Sequence, residues 1–177
     1  SSNYTAGTAF RSITLQGGGY VVKGNALRLD AGLSAQHASG WIAFDLDLQL
    51  GASQEIACGS AQTGLGIYGD INLSTYGLTI NGAGTVWIYG IISGFGGITK
   101  NGTGGLRLTA DNTYDGLTTI NAGLVTIEAN KSLGGVAAGT VVHATAALEL
   151  FGAFVMLADA GISSCCESCP EPLTLNG

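Results

Sequence analysis

Two carboxylates lie in the most regularly alternating segment of the sequence, WIAFDLDLQL at residues 41–50. Asp45 and Asp47 are two positions apart, and on a strand that spacing places them on one face, about 7 Å apart. Such a pair could act in sugar hydrolysis or bind a cation. The alternative is that both acids face solvent because the apolar residues between them face a core. No third acidic or basic partner is identifiable, so Asp45 and Asp47 form a weak carboxylate-pair candidate.

The other reactive residue types show no arrangement that would support catalysis. His37 and His143 are 106 residues apart, and no Ser, Cys or metal-ligand spacing recurs around either of them. We expect both to be surface or strand-edge histidines. The glycine-rich stretches QGGGY and GFGG lack the Lys-Ser/Thr of a phosphate loop and open no helix. We therefore expect no catalytic activity, no bound metal and no organic cofactor.

Four aromatic residues could bind a sugar if they shared one exposed face: Trp41, Trp87, Tyr89 and Tyr114. Isolated aromatic residues on strands are more often packing residues. We therefore expect these four residues to pack against their neighbours, with the sugar platform as the alternative.

The cysteines are unevenly placed, with Cys58 alone and Cys165, Cys166 and Cys169 close together in SSCCESCPEP. The cluster could form a disulfide, a partial metal site or a redox pair at Cys166 and Cys169. Zinc would need a fourth ligand, for which Cys58 is a candidate.

Composition limits the classes of partner. The chain has 177 residues, of which only 10% are charged, against roughly 25% in an average soluble domain. Six basic and twelve acidic residues give a net charge of -6, so we expect no nucleic acid and no anionic membrane surface as partner. The uncharged stretch from Ile71 to Thr99 is broken by Gly, Asn, Ser and Thr, so we expect no membrane span in this chain.

Alternation with a period of two dominates the sequence, and helical periodicity is nearly absent. The whole segment 41–50 is predicted as one half-buried strand, and shorter apolar pulses such as YVV at 20–22 and TVVH at 140–143 recur about every ten residues. One hexapeptide occurs in three related forms, SITLQG at 12–17, GLTING at 77–82 and PLTLNG at 172–177. Repetition of this kind indicates stacked coils, because a single coil cannot bury its own apolar face.

The clearest unit lies at residues 94–135 and resembles the autotransporter-associated β-strand repeat of bacterial surface proteins. The resemblance is carried by Gly96-Gly97-Ile98-Thr99-Lys100, Gly102-Thr103-Gly104, Leu106, Leu108, Asn112-Thr113-Tyr114, Gly116, Thr118-Thr119, Asn121-Ala122-Gly123 and Leu133-Gly134. It implies a right-handed parallel β-helix, all-β, displayed outside a bacterial cell or on its surface. It implies no catalytic residues.

On this basis residues 1–177 are predicted to be a single β-helix segment of a longer repeat protein, with a Cys-rich loop at 163–171. The strands should stack in parallel and share an interior lined by Ile98, Leu106, Leu108, Ile120, Val125 and Ile127. An exterior location favours disulfides among the cysteines, with Cys165 or Cys166 bridged to Cys169 as one possibility.

Three functions remain open at this point. The first is an extracellular structural or adhesive segment. The second is a polysaccharide-binding or polysaccharide-degrading module on the same scaffold, which a line of exposed aromatic residues along one face would favour. The third is a subunit of a self-assembling filament or sheath. The expected partners are further repeats of the same protein, neighbouring copies, or host and matrix glycans.

Overall fold

Short strands make up all of the regular structure that the computed structural model describes, which covers residues 4–151 and 173–176. In chain order the strands are β1 (Thr8–Phe10), β2 (Ile13–Leu15), β3 (Val21–Lys23), β4 (Leu27–Leu29), β5 (Leu33–Ala35), β6 (Gly40–Asp45), β7 (Leu48–Leu50), β8 (Gln54–Cys58), β9 (Thr63–Ile67), β10 (Ile71–Asn72), β11 (Leu78–Gly82), β12 (Thr85–Ile88), β13 (Ile92–Gly94), β14 (Ile98–Lys100), β15 (Gly105–Leu108), β16 (Thr113–Tyr114), β17 (Thr118–Ile120), β18 (Gly123–Ile127), β19 (Thr140–His143), β20 (Ala146–Leu150) and β21 (Leu173–Asn176). Strands this short are not stable singly, so their stability must come from stacking.

The strands form three parallel sheets. Sheet I has the order β1-β4-β7-β10-β13-β16, sheet II the order β2-β5-β8-β11-β14-β17-β19-β21, and sheet III the order β3-β6-β9-β12-β15-β18-β20. Because consecutive strands visit the three sheets in turn, the chain winds as a β-solenoid of about seven turns. The predicted all-β parallel β-helix is confirmed.

In-register stacking builds the core. Leu78 pairs with Ile98, and Ile98 pairs with Thr118 one turn further on. Positions that face inward therefore form columns along the axis, in which Leu, Ile and Val are the most frequent residues. The six residues predicted to share an interior are each at most 1% exposed: Ile98, Leu106, Leu108, Ile120, Val125 and Ile127.

The segment predicted as one strand at 41–50 is two strands, β6 and β7, in different sheets. The chain bends at Leu46 and Asp47, yet the alternation of buried and exposed side chains continues through the bend. The inward parity was therefore correct and the strand length was wrong. Alternation in the sequence indicates whether a side chain faces the interior or the solvent. Inward and outward positions continue to alternate through this bend, so the sequence pattern does not show where β6 ends.

All three copies of the hexapeptide supply a strand of sheet II, namely β2, β11 and β21. In the 77–82 copy and in the related stretch ending at Gly102, the final glycine turns the chain toward sheet III. Gly82 and Gly102 have φ of +104° and +70°, and a Cβ on Gly102 would come within 2.7 Å of the Gly82 nitrogen. Glycine is needed at this corner for its backbone angle and for the close approach of successive turns.

Candidate functional site

The outer surface of sheet III carries a cluster of aromatic side chains, which we call the aromatic face: Trp41, Tyr68, Trp87 and Tyr89. Each side chain points outward because its neighbour in the strand points inward, as Ile42, Ile67 and Ile88 do. Parallel pairing places Phe44 beside Ile67 and Ile67 beside Ile88, which brings the flanking aromatic residues onto successive turns. The fold therefore gathers side chains from strands that are distant in sequence.

Trp41 lies flat on the sheet because β9 has glycine at two successive outward positions. A Cβ on Gly64 would overlap the benzo edge of the indole, and a Cβ on Gly66 would lie 2.7 Å from Cζ2 and 3.0 Å from Nε1 on the opposite edge. Contacts from opposite edges of one ring mean that the ring covers both glycines with its face. The other face of the indole points away from the sheet.

Trp87 stands up beside this ring. The two indole centroids are 5.1 Å apart with an interplanar angle of 72°. A groove of about 420 Å³ opens at this corner and is lined by Gly40, Trp41, Ala61, Gln62, Thr63, Gly64, Thr85 and Trp87. Trp41 and Trp87 thus supply a floor and a wall to the same groove.

The tyrosines continue the aromatic face along the next column. Tyr68 and Tyr89 stack with centroids 4.4 Å apart and an interplanar angle of 10°, and Tyr89 lies 5.9 Å from Trp87. Burial raises the pKa of Tyr89 above its ordinary value, and the hydrogen bond with Tyr68 raises it further. Tyr89 is therefore a neutral hydrogen-bonding group at physiological pH.

Arg107 extends the aromatic face on the side away from Trp41. Its guanidinium lies 4.7 Å from the Trp87 ring centroid and 4.7 Å from that of Phe151. The same guanidinium forms an ion pair with Glu128. A planar cation between two rings, with its charge balanced by a carboxylate, makes this end of the face rigid.

Three of the four aromatic residues considered as a sugar platform share this face, but Tyr114 does not. Tyr114 is 0% exposed and its hydroxyl lies 2.6 Å from Thr118 Oγ1. The sequence interpretation missed Tyr68, which is 44% exposed. Tyr68 follows Ile67, which faces inward, so alternation predicts that Tyr68 faces outward. Placing Tyr68 beside the other aromatic residues also requires the register between successive turns.

The two carboxylates of the weak pair have separate partners. Asp45 forms an ion pair of 3.0 Å with Lys23 on the neighbouring strand of sheet III. Asp47 lies in the bend between β6 and β7, and its Oδ1 accepts a hydrogen bond of 2.9 Å from the Asp70 backbone nitrogen. The carboxylate that shares a groove with Asp47 is Asp70 of the next turn, and Asp45 does not line that groove. A role for Asp45 and Asp47 in catalysis or cation binding stays a hypothesis.

The histidines lie in different turns of the coil. His37 is 5% exposed, packs against Gly18 and shares a 3.1 Å hydrogen bond through Nε2 with the Gly40 carbonyl. The expectation of a surface position is wrong for His37, because the loop before β6 folds its ring inward. His143 ends β19 and is half-buried.

Cys58 is a free, buried thiol whose Sγ lies 3.1 Å from Thr63 Oγ1. Burial raises its pKa above the ordinary value, so the thiol is protonated and a poor nucleophile. The other candidates, Cys165, Cys166 and Cys169, and the Cys-rich loop at 163–171 lie outside the described residues. The predicted disulfides stay a prediction.

The repeat signature forms a polar part of the interior. Asn112 is 1% exposed, and its Oδ1 accepts a 2.8 Å bond from the Ile92 nitrogen while its Nδ2 donates a 2.6 Å bond to the Ser132 carbonyl. Gly134, with φ of +88°, lies so close to the Tyr114 ring that a Cβ there would be 2.9 Å from Cε2. These signature residues join successive turns, which is a structural role.

Lys100 occupies an interior position of sheet II between Ile80 and Ile120. It is 1% exposed, and its ammonium donates to the carbonyls of Asn101, Gly102 and Ala122 at 2.6, 2.9 and 3.3 Å. Burial lowers the pKa of Lys100 below its ordinary value. The lysine stem fills the core while its head binds the corner carbonyls.

Metal ligands do not converge in residues 4–151, where no group of three or more His, Cys, Asp or Glu side chains could hold an ion. The same part of the chain has no helix of the length and hydropathy that a membrane-spanning helix requires.

Stacked parallel turns, with the repeat signature of residues 94–135 facing the interior, define a β-solenoid. Comparison with protein families agrees: the model of the passenger-associated-transport-repeat family matches residues 98–127. This match confirms the suspected autotransporter passenger repeat in that segment. Comparisons with curated proteins and with solved structures found no significant match.

Proposed function

We propose that this chain is an extracellular, adhesive segment of a bacterial surface protein, in which the β-solenoid acts as a rigid support and the aromatic face makes contact. The repeat match at residues 98–127 and the solenoid fold support a surface-protein β-helix segment. The low content of charged residues and the stacked, repeated turns are also consistent with surface display.

The observation that carries the adhesive role is the aromatic face itself. Tyr68 is 44% exposed, Trp41, Trp87 and Tyr89 are half-buried, and all four project from three successive turns of sheet III. Large aromatic side chains on a rigid support are typical of binding hot spots, because little conformational entropy is lost on contact.

Attachment of coated beads tests this proposal. Beads carrying the chain should resist shear on cultured cells or extracellular matrix, and the double variant Trp87→Ala/Tyr89→Ala should lose most of that attachment. Phe95→Ala is the matched control, because Phe95 is 73% exposed but lies at the corner between sheets I and II. Thermal melting should show that both proteins fold. Absence of attachment, or equal attachment by the double variant, would refute the adhesive role.

Catalysis is not part of this proposal. We expect no reducing sugar or unsaturated product to be released from a panel of polysaccharides. Release that is abolished by Asp45→Asn would overturn this expectation and would identify the alternative, a polysaccharide-degrading module.

A further inference from the structure

The shallow, open groove between Trp41 and Trp87 has room for a flat, partly apolar ring. Trp41 supplies an indole face as the floor, and Trp87, at 72° to it, supplies the wall. Gln62 and Thr85 contribute an amide and a hydroxyl at the rim. An aromatic floor with polar groups at its edge is complementary to a pyranose, which has C–H groups on its faces and hydroxyls around its perimeter.

The glycines under Trp41 strengthen this assignment. Glycine in a strand interior weakens the strand relative to alanine, and β9 has two, Gly64 and Gly66, at successive outward positions. Their effect is to let the indole lie flat against the strand, where any larger residue would tilt it. The flat indole lines the groove together with Trp87.

The electrostatics of the groove select among sugars. None of its eight lining residues is charged. The nearest cation described on this face, Arg107, is stacked on Trp87 and already paired with Glu128. A carboxylated or sulfated sugar would therefore find no free positive partner in the groove, whereas a neutral sugar would leave no charge unpaired.

We propose that the Trp41–Trp87 groove binds a pyranose unit of a neutral glycan, stacked on Trp41 and flanked by Trp87. This inference rests on the proposed adhesive function, for which it names the ligand class. Contact with a protein surface through the same rings is the competing outcome of the test.

Intrinsic fluorescence gives a direct readout, because the two tryptophans of the chain are the floor and the wall of the groove. The purified chain is titrated with neutral oligosaccharides of glucose, mannose and N-acetylglucosamine, and separately with oligogalacturonate. We expect a saturable change in emission with at least one neutral oligosaccharide and none with the acidic one. No response to any neutral sugar, or an equal response to the acidic one, would overturn the proposal.

Variants at the rim keep both tryptophans and the fold. Thr85→Arg should fill the groove and weaken binding by about tenfold or more, whereas Phe95→Ala should bind like the parent chain. Gln62→Ala removes only an exposed amide, since the Gln62 hydrogen bonds are made by its backbone, and it should weaken binding by a smaller factor. Undiminished binding by Thr85→Arg would show that the sugar is bound elsewhere and would refute this site.

The bead-attachment assay distinguishes the proposal of glycan binding from the proposal of adhesion. Attachment that survives enzymatic deglycosylation of the target surface, yet is lost in Trp87→Ala/Tyr89→Ala, would support adhesion and refute the glycan. Sugar binding in solution without attachment of the beads would support the groove and refute adhesion.

Discussion

Asn112 and Lys100 occupy interior positions where most turns of the coil have aliphatic side chains. Each bonds to backbone groups of other residues: Asn112 to the Ile92 nitrogen and the Ser132 carbonyl, and Lys100 to the carbonyls of Asn101 and Gly102. A buried polar group that is fully bonded fixes one arrangement of its neighbours, because any shift leaves it unpaired. These residues therefore set the register between turns as well as filling space.

Replacing Asn112 with alanine should lower the free energy of unfolding by about 2–4 kcal/mol, since two buried backbone groups, the Ile92 nitrogen and the Ser132 carbonyl, lose their partner. Asn72→Ala is the control, because Asn72 is exposed and its Oδ1 accepts only from the nearby Ser74 nitrogen. Urea unfolding of both variants measures the difference. Equal losses in the two proteins would show that Asn112 does not join the turns.

Lys100 should make stability depend on alkaline pH. Its pKa in the folded chain is lowered below the ordinary value of 10.5, so between those two values the unfolded chain binds more protons and stability rises with pH. The stability of the parent chain relative to Lys100→Met should therefore increase as the pH approaches 10.5 and then level off. Comparison with Lys100→Met cancels other groups that titrate in this range, such as Tyr89. A constant or falling difference would contradict the buried cation.

Sequence alone could not separate Tyr114 from the aromatic residues of sheet III. Trp87 and Tyr89 alternate with Val86 and Ile88, so their outward parity follows from the sequence. Tyr114 lies in a strand of two residues, which has no alternation to interpret. Its inward position depends on Gly134 and Thr118, which the fold brings to it from other strands.

At the scale of the strand, alternation predicted which residues face the core but not where each strand ends. Inward and outward side chains continue to alternate through corners such as Leu46-Asp47. The sequence of β6 and β7 therefore has one uninterrupted alternation, although they are separate strands in different sheets. The parallel pairing was predictable because the hexapeptide recurs and repeated coils stack like upon like. The groove at Trp41 was not predictable, because it depends on glycines of the next turn.

Gly66→Ala tests how β9 seats the indole. The new Cβ would lie 2.7 Å from the Trp41 ring and 3.0 Å from that of Tyr68, so we expect a loss of about 1–3 kcal/mol in stability and a shift in tryptophan emission. Gly77→Ala is the control, since a Cβ there has no neighbour closer than Ser53 Oγ at 3.8 Å. An alanine at 66 without effect on emission would mean that Trp41 does not rest on this glycine.

At the scale of the whole coil, the first turn leaves its outer edges unpaired among the described residues, with β1, β2 and β3 each at the end of a sheet. An apolar cavity of about 200 Å³ lies at the same end and is lined by Phe10, Ile13 and Val22 among others. Open strand edges recruit further strands. We expect the isolated chain to associate as its concentration rises in analytical ultracentrifugation. A monomer across a wide concentration range would contradict this expectation.

The hydrogen bonds between turns run along the axis of the coil, and this direction determines how the segment responds to tension. A pull on its two ends loads one turn at a time, so turns should peel off in sequence instead of failing together. Successive turns are offset by about 20 residues, as between Asn101 and Asn121. Each released turn should lengthen the chain by about 63 Å, which is its extended length at about 3.4 Å per residue less its rise of about 4.8 Å in the coil. Optical tweezers should record repeated steps of that size, whereas a single abrupt extension would contradict sequential release. An attachment made through the aromatic face would then yield gradually under flow, dissipating load while the remaining turns still hold it in place.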